Sequence, residues 1–166
     1  MSHRFILRLG IVVLAWCAIP STAADRGIVP ISVCELMRAL ASRDGQTVAV
    51  VGRYSFRSTG QWVAQQGCQT PDVQPVLQLL EDPREAPKAP EVFQFDAAVL
   101  DKKLAEVQEH TPLGKFRFGV TDYDRWAVIY GKVEVRKGED AKKFAANLIV
   151  RSSAMIIWLP RPNTTQ

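Results

Sequence analysis

Few side chains in this sequence are of types that do chemistry, and they are widely spaced. His110 is the single histidine beyond the N-terminal region, and nucleophilic catalysis needs a nucleophile with a base within hydrogen-bond reach. It stands at the end of a helical pattern, beside Thr111-Pro112, where a histidine more often meets the negative end of the helix dipole. Asp122 and Asp124 present two carboxylates at i and i+2. Such a pair suits acid/base work or a share of a calcium site. Calcium, however, takes six or more oxygens, and a turn between strands uses aspartates in the same places. Asp122, Asp124 and His110 together define one reading, a hydrolase; no other catalytic set stands out.

A second group suits binding. Tyr54, Trp62, Trp126 and Tyr130 fall among the basic residues Arg53, Arg57, Arg136, Lys137, Lys142 and Lys143. Aromatic platforms with cationic neighbours stack and hold sugars or single strands. The same residues also suit a core and a solvated loop.

Cys34 and Cys68 are the two cysteines beyond Cys17. An even count in an exported chain reads as a disulfide, and the spacing is not that of a redox Cys-x-x-Cys pair. Two thiols and one histidine cannot fill a tetrahedral zinc site, so no metal and no cofactor is expected.

Export is read from the N-terminus. Arg4 and Arg8 precede an apolar run from Leu9 to Ile19, then Pro20-Ser21 and the small residues Thr22, Ala23 and Ala24. Charged, apolar, then small is the layout of a cleavable signal peptide. The run is shorter than the ~20 residues of a membrane-spanning helix. We expect residues 1–24 to be the signal and 25–166 one domain, periplasmic or extracellular, with no membrane span after cleavage. Cys17 has Trp16 in front of it, where a lipidated cysteine needs a small residue. The chain has 21 Lys and Arg against 17 Asp and Glu; two of the arginines lie in the signal, so the mature charge is +2. That is a weak basic bias for a nucleic-acid binder.

These residues must be positioned by short elements. Ser32-Val33-Cys34-Glu35 is a capping box, and Val33, Leu36, Met37 and Leu40 follow helical spacing up to Arg43-Asp44-Gly45. Thr47 to Arg57 reads as a strand, apolar on both faces at first and polar on one face later, with Gly52 at the change. Ser58-Thr59-Gly60 is a turn, Gln61 to Gln66 the returning strand, and Pro75 to Leu80 a third. A proline-rich loop follows to Pro90, then a helix capped by Asp96 with Ala97, Leu100, Leu104 and Val107 on one face. Lys115 to Val120, Arg125 to Arg136 and Ala145 to Leu159 read as strands, the last broken at Ser152-Ser153. Three strands, a helix, then further strands is the order of an OB-like Greek-key barrel. The expected fold class is therefore mainly β with two helices, with an α+β sandwich as the alternative.

Cys34, the strand Gly45-Gln46-Thr47-Val48-Ala49-Val50-Val51-Gly52, Cys68 and the later Ile129-Tyr130-Gly131-Lys132-Val133 resemble small exported bacterial proteins of unassigned function. The resemblance implies an OB-like barrel in which a bridge pins the first helix to the hairpin. It carries no catalytic residues. In such a barrel the turn 58–60 and the loop 137–143 frame the face of strands 2 and 3. The expected ligand residues are then Arg57, Trp62, Lys137, Lys142 and Lys143. Trp62 and Ala64 share one face and Val63 takes the other; the sequence does not say which is inward. A non-catalytic binding or envelope-accessory module is the expected function. A saccharide, a small anion or an envelope protein suits it better than nucleic acid.

Overall fold

A computed structural model describes residues 28–69, 74–90, 93–114, 123–151 and 156–159. The signal residues, Asp122, the segment 115–120 and Ser152-Ser153 lie outside the described residues. The elements run β1 (Ile31–Ser32), α1 (Val33–Arg38), β2 (Thr47–Arg57), β3 (Gly60–Ala64), β4 (Val76–Glu81), α2 (Ala97–His110), β5 (Tyr123–Val135), β6 (Ala146–Val150) and β7 (Ile156–Trp158), with 3-10 turns at Leu40–Arg43 and Gly138–Lys142.

Local chemistry explains the ends. The Ser32 hydroxyl accepts from the Glu35 N–H while the Glu35 carboxylate accepts from the Ser32 N–H, completing the capping box. The chain leaves the following 3-10 turn through Gly45 at φ 73°, a left-handed conformation that glycine takes at little cost. The Asp96 side chain accepts from the Val99 N–H and starts α2.

β2 pairs with β3 along Arg53–Arg57 and with β5 along Thr47–Phe56. β3 pairs with β4, β4 runs parallel to β6, and β6 returns to β5. The sheet therefore closes on itself as a five-stranded barrel of order β2-β3-β4-β6-β5 rather than forming a sandwich. β1 and β7 add to its outside edges, on β2 and β5 respectively.

Val48, Val50, Tyr54, Val63, Leu77, Leu79, Ala127, Ile129, Val133, Ala146, Leu148 and Val150 fill the interior, and α1 delivers Val33, Leu36 and Met37 into the same cluster. Gly52 is a point of closest approach: a Cβ there would stand 2.5 Å from Val63 Cγ2 and 3.0 Å from Val33 Cγ2. The change of pattern at this residue thus reflects crowding. α2 packs outside the barrel, its Leu100, Leu104 and Val107 against Ala49, Val51, Trp126 and Val128. This second cluster is why early β2 is apolar on both faces.

Cys34 and Cys68 are joined by a disulfide, with Cα atoms 5.2 Å apart. It ties α1 to the chain just beyond β3. The buried Gln65 helps, since its side-chain oxygen accepts from the Cys34 N–H at 3.0 Å. Glu35 meets Lys103 of α2 in an ion pair, so both helices are linked by charge as well. Burial alone would raise the Glu35 carboxyl; the hydrogen bonds from Lys103 and the Ser32 N–H, with the charges of Lys103 and Arg38, outweigh it and hold the group below its ordinary value.

Candidate functional site

The outward positions of the barrel strands form a polar row. Ser55 of β2 stands opposite both Asp124 of β5 and Trp62 of β3. Trp62 stands opposite Gln78 of β4, Gln78 beside Asn147 of β6, and Asn147 opposite Glu134 of β5. Strand pairing alone lines these up, because side chains at paired positions share a face. Val63 is fully buried in the interior while Trp62 is half-buried, which fixes the direction left open by the sequence: Trp62 faces outward.

Around Trp62 lies an open groove of about 300 Å³, lined by Thr59, Trp62, Gln74, Val76, Gln78, Lys143 and Phe144. Thr59 comes from the β2–β3 turn, Lys143 and Phe144 from the loop before β6. The Arg57 guanidinium lies 6.0 Å from the Trp62 ring centroid. Arg136 donates from Nη2 to Gln78 Oε1 at 2.6 Å and from Nε to Asn147 Oδ1 at 2.7 Å. Its guanidinium is 5.5 Å, and Lys143 Nζ 5.4 Å, from the Phe144 ring centroid.

The expected ligand residues are thus partly gathered. Trp62 and Lys143 share the groove, and Arg57 touches it through the Trp62 ring. Lys137 does not line it; it borders a separate shallow depression with Glu134, Val135, Arg136, Asp140 and Asn147. Lys142 ends the 3-10 turn, and its side chain lies outside the described residues. Gln74, Val76, Gln78 and Phe144 were not singled out from sequence. Gln78 had a signal, a polar residue at an alternate position in the apolar Pro75–Leu80 run. Phe144, beside a lysine cluster, had none.

The residues of the hydrolase reading are placed differently. Asp124 does not lie in a turn, as its spacing from Asp122 suggests; it is within β5 and buried. Its Oδ1 accepts from the Ser55 hydroxyl at 2.7 Å and from Arg57 Nη2 at 2.6 Å, and its Oδ2 from the Gly114 N–H at 2.8 Å. Burial would raise its pKa, but these three donors and the Arg57 charge hold the carboxyl below its ordinary value. The pattern that looks like a turn is therefore a strand whose acid is matched by an arginine on the neighbouring strand β2. His110 is exposed at the C-terminal end of α2, packed beside Gly67. Neither Asp124 nor His110 lines the Trp62 groove.

Among the described residues no group of three or more His, Cys, Asp or Glu side chains is arranged to hold a metal ion. No helix among them is long and apolar enough to cross a membrane. Neither a protein-family profile, a curated protein nor a solved structure matches the chain.

Proposed function

We propose that this chain is an exported binding module on an OB-type barrel, and that its ligand occupies the Trp62 groove. Support for the barrel type comes from strand order and polarity. The order β2-β3-β4-β6-β5 closing back on β2, with β4 and β6 parallel and a helix between β4 and β5, follows the five-stranded Greek-key plan. The resemblance to small exported bacterial proteins points the same way, and a disulfide suits an oxidising compartment.

The observation that carries the binding site is one convergence. An outward tryptophan, the β2–β3 turn and the loop before β6 meet at a single groove. Those two loops and that strand face are where such barrels hold ligands. An outward tryptophan beside a guanidinium offers a ring face and a charge to a ligand.

The test is a binding screen on folded protein, wild type beside Trp62→Ala, against saccharides and small anions. Stacking on an aromatic platform contributes ~1–3 kcal/mol per group. A hit should therefore weaken by about 5- to 150-fold in the variant, while its far-UV spectrum stays that of wild type. A hit that Trp62→Ala leaves unchanged, or a folded wild type that binds nothing in the screen, overturns the site.

A further inference from the structure

We infer that the groove is built for an acidic saccharide, with a sugar ring against Trp62 and its carboxylate toward Lys143 and Arg136; this rests on the groove being the binding site. Three observations carry it.

The first is charge. The groove lining includes Lys143 and no carboxylate. Behind the lining, Arg136 is held by two neutral acceptors, Gln78 Oε1 and Asn147 Oδ1. Its nearest acid in that network is one amide further out, where Asn147 Nδ2 donates to Glu134 Oε2 at 2.7 Å. Neither Lys143 nor Arg136 has an ion-pair partner among the described residues. Arg57 differs, since Asp124 matches its charge. Lys143 and Arg136, both beside the Phe144 ring, are thus the cations that a ligand in the groove would meet, and a fixed guanidinium favours a carboxylate.

The second is the polar lining. The Arg136 bond uses the Gln78 carbonyl oxygen and so orients the amide, leaving its NH2 as the group to meet a ligand. Gln74 and Thr59 add donors and acceptors of both kinds. Neutral amides and a hydroxyl around one aromatic ring suit a hydroxyl-rich ring with an apolar C–H face. A fatty or purely aromatic anion would leave these polar groups unpaired, at a cost.

The third is extent. A volume of about 300 Å³ is at the low end of small-molecule sites, roughly 300–1,000 Å³. Single strands need successive stacking platforms along a basic track. Here the lining holds two rings, Trp62 with Arg57 beside it and Phe144 with Arg136 and Lys143 beside it. One or two sugar units fit this layout better than a nucleic-acid strand.

The experiment is calorimetric titration with three probes: a tetrasaccharide of uronic acid units, the same tetrasaccharide with its carboxyls reduced to alcohols, and a twelve-residue oligothymidylate. Wild type should bind the uronate at least 10-fold tighter than its reduced form and tighter than the oligonucleotide. Lys143→Gln, a change at an exposed side chain, should lower uronate affinity by about 5- to 10-fold and leave the reduced sugar unchanged. It should also flatten the salt dependence of uronate binding. Equal affinity for the two sugars overturns the acidic class while the groove stands. Tighter binding of the oligonucleotide overturns the saccharide. Binding of any probe that Trp62→Ala does not weaken, or no binding of all three, overturns the groove as well.

Discussion

Asp124→Asn separates a structural carboxylate from a catalytic one. The wild-type carboxylate accepts from Ser55 and Arg57 on one oxygen and from the Gly114 N–H on the other. An asparagine has one acceptor oxygen. If that oxygen faces Ser55 and Arg57, the amide N–H2 meets the Gly114 N–H, donor against donor; if it is flipped, two bonds are lost instead of one. The cheaper orientation loses one bond and the charge assistance to a partly buried Arg57. Hydrogen bonds to charged groups contribute ~1.5–3 kcal/mol, and a donor left unsatisfied adds to the cost. The expected loss at pH 7 is about 2–3 kcal/mol, a melting-temperature drop of roughly 6–15 °C for a domain of this size. The pH dependence has a fixed sign. The Asp124 carboxyl is held below its ordinary value, so its stabilisation is complete above the unfolded pKa, ~3.9, and is lost as pH falls through the native value. The variant has no such group to titrate. Urea denaturation from pH 7 down to pH 3 should therefore show the gap between the two proteins narrowing below about pH 4. A gap under ~0.5 kcal/mol at pH 7, or one that stays constant across this range while both proteins fold, would refute the reasoning. A catalytic Asp124 would give the opposite pattern, lost turnover with stability almost unchanged.

Reduction of the Cys34–Cys68 bridge, which spans 34 residues, should lower stability by about 3–4 kcal/mol in the chain-entropy account; denaturation with and without reductant measures it, and mass spectrometry of non-reduced protein should recover the linked peptide. Trp62→Ala and Val63→Ala should differ despite adjacency. Removing the fully buried Val63 methyls should cost ~2–3 kcal/mol, whereas the outward Trp62 should cost under about 2 kcal/mol; a reversed order in urea melts counts against the assigned faces. N-terminal sequencing of protein recovered from the envelope should begin at Asp25, or at Ala24 for the neighbouring cleavage; recovery of intact Met1 counts against a cleaved signal.

What could be read from sequence was local. β2 spans Thr47–Arg57, the range its alternation predicts, and the capping box fixes the start of α1 to the residue. These signals sit within four residues of each other or repeat with a period of two. β1 has no signal in the sequence, because two residues carry no period; it exists only through its parallel pairing with Val50-Val51. Asp124 stands in a strand and not in the turn its spacing suggests for a related reason. Its acid interrupts the apolar pattern, and the arginine that makes it tolerable is 67 positions away on β2. Closure of the barrel likewise depends on partners far apart in the chain, such as Leu77 beside Ala146. The candidate groove was legible in outline through Trp62 and the two framing loops. The missing parts, Gln78 and Phe144, acquire meaning only once β4 and β6 lie side by side.

That arrangement also restricts where a ligand can go. The interior is closed to one: Val50, Val63, Leu77, Ile129 and Leu148 have no exposed surface, and α1 adds three more apolar side chains to the same space. The outer face of β2 and β5 is taken by α2 through Leu100, Leu104 and Val107. On β3, β4 and β6 the outward row is Trp62, Gln78 and Asn147, and no helix among the described residues covers it. Arg136 reaches into this row from the end of β5 and fixes both amides. For the ligand proposed above, amides already held by one guanidinium would lower the ordering cost of binding. Cross-strand hydrogen bonds order this face, and the β2–β3 turn and the loop before β6 complete the groove around Trp62.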